Sequence, residues 1–414
     1  MGELDYSCCH KILHNTVFTS IVVTCNEGQL ETVTSGKKTT VSGFEVVLED
    51  TIFFPEGGGQ PCDHGLLDDV AVLQVTRRGA DAIHFVESAL PVGKLVKQKI
   101  DWERRLDHMQ QHSGQHLITA LADEHFSYPT TSWWLGEEES YIEFDTQTVK
   151  PSDLDRLEEH VNEKIRAATP VIVTVYEEGD TQLKKVRTRG LPDDHEGPVR
   201  VVTIEGVESN MCCGTHVTNL SQLQAIKLLR TEKGKKNKTN LYFLAGGRVL
   251  RQLSACLHRE HQLTAMLKNG PAEHVQLVDK LQTSLKIVNK NLQTVLRELA
   301  IHEAASIKQQ VPTPAYYSLH RKEADSDFMS ILINEVGDQS VLLFLTVGDE
   351  KGGQMVLHGE PDIVAQLGPQ VCALLNGKGA VKGPKFQAKV SNLANRKKAE
   401  ELIKQHIGGT RSGC

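Results

Sequence analysis

The sequence predicts an α+β protein with four parts: an N-terminal β-barrel-like domain, an α/β domain, a helical coiled-coil arm and a C-terminal α/β domain. Three observations predict this. Short runs rich in Val, Ile and Phe, punctuated by Gly, Asp, Asn and Ser, fill the chain up to about residue 100. From Asp101 the apolar residues recur at spacings of three and four, the period of a helix. From Val278 to Leu299 an apolar stripe keeps heptad spacing. The boundaries fall at 1–100, 101–250, 251–310 and 311–414.

In the first part, Val17–Cys25, Phe44–Leu48, Ile52–Phe54, Val70–Thr76 and Ala82–Val86 read as strands. Between them runs Phe54-Pro55-Glu56-Gly57-Gly58-Gly59-Gln60-Pro61. Three consecutive glycines let the backbone take positive φ and approach a ligand closely. Gln60 then offers a side-chain donor and acceptor. A plain tight turn is the simpler account of the glycines.

In the second part, Leu106, Met109, Leu117, Ala120 and Leu121 define an amphipathic helix in which His112 and His116 are embedded. Thr131-Ser132-Trp133-Trp134-Leu135-Gly136 follows, then a strand at Ser140–Asp145, a helix at Leu154–Ile165 and strands at Val171–Tyr176 and Arg200–Ile204. Lys227–Lys238 carries five lysines and Arg230 against Glu232 alone. Such a run is either a solvated loop or a phosphate contact.

Residues 252–308 are helical with a break at Gly270-Pro271. Val278, Leu281, Leu285, Val288, Leu292, Val295 and Leu299 form the a/d stripe. It predicts an arm that packs antiparallel on the preceding helix or pairs with a second chain in a homodimer. In the last part Val341–Val347 reads as a buried strand and Pro361–Leu375 as a helix. Lys378–Lys398 holds six lysines and Arg396 without an acid.

At 414 residues the chain is long enough for several cores, and its 39% hydrophobic and 24% charged content is that of a globular protein. No run reaches the roughly 18 apolar residues of a membrane span, and Met1–Cys9 lacks the basic-then-apolar pattern of a signal peptide. A cytoplasmic protein without a membrane partner is expected. Nine scattered cysteines, with Cys8-Cys9 and Cys212-Cys213 adjacent, fit a reducing compartment better than a disulfide framework. The net charge of −7 argues against indiscriminate nucleic-acid binding but leaves room for local basic surfaces.

The chemistry concentrates in His112-Ser113-Gly114-Gln115-His116 and Cys212-Cys213-Gly214-Thr215-His216. Residues four apart share a helix face, so each pair presents two donors on one side. Three imidazoles and a thiolate make a tetrahedral Zn2+ set. Taken singly, a histidine pair is common on solvated helix faces and Cys212 reads as a core thiol; the two pairs together point to zinc. Ser113 stands where a zincin protease has glutamate, which excludes that mechanism. His108 is also four from His112, and spacing leaves both pairings open.

These motifs, with the glycine loop and the Thr131–Gly136 segment, resemble the editing domain of alanyl-tRNA synthetase. The resemblance is greater to its freestanding relatives, the AlaX-type alanyl-tRNA editing proteins. It covers roughly residues 20–250 and continues more weakly beyond. It implies one Zn2+ on His112, His116, Cys212 and His216, leaving His108 out, and a substrate pocket that includes Gly57, Gly58, Gly59 and Gln60. It implies hydrolysis of mischarged tRNA(Ala), bearing serine or glycine, in trans. Gln60, Thr131 and Ser132 are the candidate catalytic and hydroxyl-reading residues. Lys233, Lys235, Lys236, Lys238, Lys382 and Lys385 are the candidate tRNA contacts. Gly377, Gly379 and Gly383 resemble the glycine-rich tail of alanyl-tRNA synthetases, although Ala380, Val381 and Lys382 interrupt the run.

Two other readings compete. A zinc-stabilised, non-catalytic RNA-binding protein needs the ligands and lysines but not the glycine loop. A zinc hydrolase of peptides or small esters has no use for the lysine stretches. No Gly-x-x-x-x-Gly-Lys-Ser/Thr loop is present, so aminoacylation is not expected.

Overall fold

The computed structural model describes residues 16–34, 37–79, 81–177, 180–186, 198–338 and 340–410. The terminal Cys8-Cys9 pair lies outside them. Two compact units divide the chain, Met1–Gln262 and Leu263–Cys414. The fold is mixed α+β, with seven α-helices and several sheets among the described residues.

The first unit begins with β1 (Val17–Thr34), β2 (Lys37–Leu48), β3 (Gly65–Leu67), β4 (Val70–Arg78), β5 (Asp81–Val86) and β6 (Leu95–Ile100). They pair in the order β1-β2-β5-β4-β3-β6, and β6 returns to β1, so every strand has two neighbours. Val22, Val46, Leu67, Val72, Val75, Val86 and Val96 fill the interior. β6 is a strict alternation, with Val96, Gln98 and Ile100 buried and Leu95, Lys97 and Lys99 exposed.

Ile52–Phe54, read from sequence as a strand, is not one. Its side chains are buried, but its amides bond side chains rather than a ladder. Ile52 N–H donates to Gln98 Oε1 (3.0 Å), Phe53 N–H to Thr51 Oγ1 (3.1 Å) and Phe54 N–H to Asp63 Oδ2 (2.7 Å). Burial supplied the apolar signal, and side-chain acceptors satisfied the backbone without a neighbouring strand.

Helix α1 (Trp102–Phe126) follows, capped by Asp101, whose carboxylate accepts from Arg104 N–H, and closed by Ser127 in the left-handed region. It lies against β7 (Thr130–Leu135), β8 (Ser140–Phe144), β12 (Ile226–Lys233) and β13 (Thr239–Ala245), which form one sheet in the order β12-β13-β8-β7. Helix α2 (Pro151–Arg166) buries Leu157, Val161 and Ile165 in the same core as Met109, Leu117, Ile118 and Leu121 of α1. A second sheet pairs β9 (Val171–Tyr176), β10 (Val199–Ile204) and β11 (Glu208–Met211) in the order β11-β10-β9. Helix α3 (Gly247–Leu267) starts on a clamp in which Arg248 and Arg251 both donate to Asp107 of α1.

In the second unit, a turn at Pro271–Glu273 precedes helix α4 (His274–Lys308). The end of α4, through Leu296, Ala300, Ala304 and Ile307, packs with Phe328, Met329 and Leu332 of α5 (Ser326–Val336). These packing residues are not those of the heptad stripe: Val278, Leu281, Leu285, Val288, Leu292 and Val295 are exposed, and Leu299 is half-buried. The strands β14 (Tyr316–Arg321), β15 (Leu342–Asp349), β16 (Gly352–His358), β17 (Lys378–Lys382) and β18 (Lys385–Val390) order as β14-β15-β16-β18-β17. Helices α6 (Pro361–Leu374) and α7 (Arg396–Thr410) join the core that includes Phe386. The basic tail is therefore a β17–β18 hairpin, with Lys382 exposed and Lys385 half-buried at its turn.

Candidate metal centre

The polar run from Gln110 to His116 sits in the middle of α1 yet is buried throughout. Buried polar groups need partners, and those partners tie three separate chain segments together. Gln111 exchanges two bonds with the backbone of Ala245 at the end of β13 (2.9 and 3.0 Å). Gln110 donates to Gln222 O (2.8 Å) and accepts from Gly247 N–H (3.1 Å). The helix is thereby fixed against the sheet, and its next turn carries His112 and His116.

The turn after β11 brings Cys212 and His216 to these histidines. The four candidate donor atoms lie within 4.8 Å of one another. Cys212 Sγ is 3.5 Å from His112 Nε2 and 3.2 Å from His216 Nε2. The imidazole centroids are 5.1 Å (His112–His116), 4.4 Å (His112–His216) and 4.8 Å (His116–His216) apart. Zinc bonds of about 2.0–2.3 Å at tetrahedral angles put neighbouring donors about 3.3–3.8 Å apart, so the sulfur-to-nitrogen spacings fit an ion at the centre. The donor set fits too, since thiolate and imidazole are the usual ligands of zinc.

The outer nitrogens of two rings are held by side chains. Gln60 Oε1 is 3.0 Å from His112 Nδ1, and Ser113 Oγ is 3.1 Å from His216 Nδ1. With Nδ1 so engaged, Nε2 of each ring faces Cys212, the arrangement that orients metal-binding histidines. Burial and the neighbouring His116 keep the His112 imidazole neutral, with its pKa well below the ordinary histidine value. Burial, reinforced by the adjacent Cys213, pushes the Cys212 thiol up to about 12 in the metal-free protein. A bound metal reverses that preference, because it takes the thiolate.

The glycine loop closes on the same place. Gly57 and Gln60 exchange backbone bonds, and between them Gly58 (φ +58°) and Gly59 (φ +79°) occupy the left-handed region. A Cβ on Gly58 would lie 2.9 Å from Cys213 Sγ, and one on Gly59 would lie 2.6 Å from Trp133 Nε1. Gln60 is fully buried. Its Oε1 also accepts from Thr215 N–H (2.9 Å), and its Nε2 donates to Thr215 Oγ1 (2.7 Å). Gln60 thus spans the glycine loop, the α1 histidine and the Cys212–His216 turn.

A buried ion pair anchors the loop's far end. Arg105, one face of α1 below His112, donates twice to Asp63 through Nε (3.0 and 2.9 Å) and again through Nη2, which also reaches Ile52 O (2.7 Å). Arg200 of β10 braces the other turn, donating to Cys212 O (2.9 Å) and Gly214 O (2.5 Å). A Cβ on Gly214 would strike the His112 ring at 2.2 Å.

His108 is buried one turn before His112, with no hydrogen-bond partner at either ring nitrogen and a pKa lowered to about 4, chiefly by burial. It stands outside the four-donor group. Thr131 and Ser132 lie elsewhere. Strand alternation turns Trp133 inward, where it packs on the α1 core, and Ser132 and Trp134 outward. Thr131 Oγ1 (2.6 Å) and Ser132 Oγ (3.2 Å) both donate to Glu143 Oε1, which Lys238 also contacts (3.0 Å). Lys233, Lys235 and Lys236 are exposed on the β12–β13 hairpin. Arg105, Asp63, Ser113, Thr215 and Arg200 are site residues that sequence reasoning missed. The signal was available for Ser113, as part of an all-polar stretch inside a helix.

The segment that carries the Cys-x-x-x-His turn places the chain in a class, that of domains found in threonyl and alanyl tRNA synthetases. Residues 199–244 match the family model described as the threonyl and alanyl tRNA synthetase second additional domain. The chain is 53% identical to the alanyl-tRNA editing protein Aarsd1 of Danio rerio, over 96% of this chain and 97% of that one. It is 52% identical to the protein of that name in Mus musculus, over the same shares. It is also 29% identical to the alanyl-tRNA editing protein AlaX-L of Pyrococcus horikoshii, over 62% of this chain and 63% of that one. The chain belongs to the alanyl-tRNA editing proteins.

Proposed function

We propose that this protein hydrolyses, in trans, the aminoacyl ester of tRNA(Ala) mischarged with serine or glycine, releasing the free amino acid and intact tRNA. The observation that carries this is the four-donor group closed over by the Gln60 loop, in a chain of the alanyl-tRNA editing family. A purely structural ion in an RNA-binding protein has no need of a glycine loop packed beside it. His112, His116, Cys212 and His216 would hold Zn2+. When bound, that ion supplies positive charge that orients the substrate and polarises its ester.

The chain's own residues do the rest. Gln60 fixes the His112 ring and the Thr215 backbone. The loop at Gly57–Gly59 shapes the pocket wall and keeps bulk water from the scissile bond. Lys233, Lys235, Lys236 and Lys238, with Lys382 and Lys385, contact tRNA phosphates. The exposed stripe of α4 serves as a coiled-coil arm and pairs two chains. The protein's proposed place of action is the cytoplasm. No described helix is long and apolar enough to cross a membrane.

Incubation of purified protein with tRNA(Ala) carrying labelled serine, glycine or alanine tests the reading. Seryl- or glycyl-tRNA is expected to be deacylated and alanyl-tRNA spared. A chelator is expected to abolish the activity and added zinc to restore it. No deacylation of any mischarged tRNA(Ala) by the metal-loaded protein would sink it.

A further inference from the structure

The outer face of the β12-β13-β8-β7 sheet carries an aromatic row that the metal centre does not use. Trp134 of β7 pairs across the strands with Tyr141 of β8, and Tyr141 with Tyr242 of β13. Ring centroids are 5.9 Å apart for Trp134–Tyr141 and 5.5 Å for Tyr141–Tyr242. The Arg230 guanidinium caps the row, 4.2 Å above the Tyr242 ring. Trp134 is 55% exposed, an unusual position for the largest apolar side chain. Its indole lies over Gly136, where any Cβ would meet the ring at 2.3 Å.

We propose that this row is a stacking surface for the unpaired bases of a single-stranded RNA end, which leads that end around the β7 edge to the metal centre. Every base has a π-face, so aromatic and guanidinium groups in series hold a single strand without reading its sequence. Three features of the sheet favour RNA. Three carboxylates on or beside this face are engaged by cations, Glu143 by Lys238 and Glu139 and Glu232 by Arg230, and the exposed Glu137 and Glu138 lie off the strands in the β7–β8 turn. The exposed Lys233, Lys235 and Lys236 rim it, where the phosphates of a stacked strand would run. And β7 is the edge strand whose next residue inward, Trp133, touches the glycine loop at Gly59. A strand crossing the row at Trp134 is therefore one residue from the wall of the pocket.

The proposal rests on the reading that the substrate is an aminoacyl-tRNA, whose acceptor end is single-stranded. Its test needs no hydrolysis. A fluorescently labelled short unpaired RNA ending in CCA is titrated with full-length, zinc-loaded protein and followed by anisotropy. A blunt RNA duplex of equal length serves as competitor. Trp134→Ala is expected to weaken binding roughly 5- to 150-fold, the range for loss of one stacked base, and Tyr242→Ala is expected to weaken it too by removing the ring on which the Arg230 guanidinium rests. Trp134→Phe, which keeps a ring, is expected to stay within about 3-fold of wild type. Because Trp134 is more than half exposed, its replacement leaves the core filled, and unchanged zinc content verifies the fold. Unchanged affinity in both alanine variants would overturn the proposal, as would equal competition by the duplex. So would a dimer that dissociates in Trp134→Ala with RNA affinity intact, because the row would then be a contact between chains. If the wild type binds the unpaired RNA through Trp134 yet deacylates no mischarged tRNA, the stacking surface stands and the editing reading falls.

Discussion

Gln60 Oε1 sits 3.0 Å from His112 Nδ1 although the two residues belong to different structural elements, a loop of the barrel and the middle of α1. The same oxygen accepts from Thr215 N–H at 2.9 Å. One amide therefore sets the orientation of a candidate metal-binding ring and of the turn that carries two further candidate ligands. Truncation to Ala strands a buried amide, which costs about 1–3 kcal/mol, and removes the partner that orients His112. Gln60→Ala is expected to lower zinc affinity by about 10–100-fold, the usual effect of losing an outer partner of a metal ligand. Competition with a chromophoric chelator measures it. Wild-type zinc affinity in the variant would show that His112 is oriented without Gln60.

Loss of any one donor tests the ligand set. His112→Ala, His116→Ala, Cys212→Ala and His216→Ala are each expected to bring zinc well below one equivalent per chain in elemental analysis. His108→Ala is expected to keep it, because His108 lies outside the cluster. Zinc lost in His108→Ala and retained in His116→Ala would reverse the assignment that spacing alone left open.

The Arg105–Asp63 pair is almost wholly buried, at 1% and 0% side-chain exposure. Removing one partner of such a pair leaves an uncompensated charge and costs about 3–5 kcal/mol. Asp63→Ala is expected to lower the unfolding free energy of the first unit, read from its urea midpoint and slope, by that amount. Asp63 also accepts from Phe54 N–H, so the loop that leads to Gln60 loosens as well. The double substitution Arg105→Met with Asp63→Leu is expected to recover part of the loss, since it removes both charges. A midpoint unchanged in Asp63→Ala would show that the pair contributes nothing net.

Legibility in the sequence followed periodicity. The helix around His112 and the strands at Val70 and Ala82 announce themselves through apolar spacing, and the four donors through their i, i+4 pairs. β6 went unread although its alternation is plain in the structure, because Lys97 and Lys99 interrupt the apolar count. Ile52–Phe54 misled in the opposite direction, since its buried side chains mimic a strand while Gln98, Thr51 and Asp63 take its amides. The partners of the candidate metal site were the least legible part. Gln60 and His112 are 52 residues apart, and Gln60 and Thr215 are 155 apart. No local pattern records such a contact.

The lysines make a prediction about salt. Replacing Lys233, Lys235 and Lys236 by Gln is expected to weaken tRNA binding and to flatten its dependence on salt by roughly 0.7–0.9 of a log unit in slope per lost phosphate contact. Lys382→Gln with Lys385→Gln tests the β17–β18 hairpin in the same way. Filter binding across a salt series reads the slope. Affinity and slope both unchanged after the two sets are combined would move the phosphate contacts elsewhere.

The hardest part of the proposed function is discrimination, because seryl-tRNA differs from alanyl-tRNA by one added hydroxyl. Alanine fits any pocket that admits serine, so exclusion by size cannot protect it. The pocket must gain from the hydroxyl, and sites built around a substrate hydroxyl reject the analogue lacking it by up to about 10⁴-fold. Thr131 and Ser132 are the hydroxyl-bearing candidates nearest in sequence to the pocket wall at Trp133. Both donate to Glu143 Oε1, on the outward face of the sheet. If that geometry persists with substrate bound, Thr131→Val and Ser132→Ala leave the ratio of kcat/KM for seryl- over glycyl-tRNA unchanged. They act instead through Glu143, which loses donors that hold its pKa below the usual carboxylate value. If either residue turns inward to read the substrate, its variant lowers that ratio by the worth of one hydrogen bond, about 0.5–1.5 kcal/mol, or roughly 2- to 13-fold. The ratio in the two variants, measured at matched zinc content, decides between them. An unchanged ratio in both leaves the centre itself, with the Cys213–Gly214 turn and the Gly58 loop around it, as the place where serine is told from alanine.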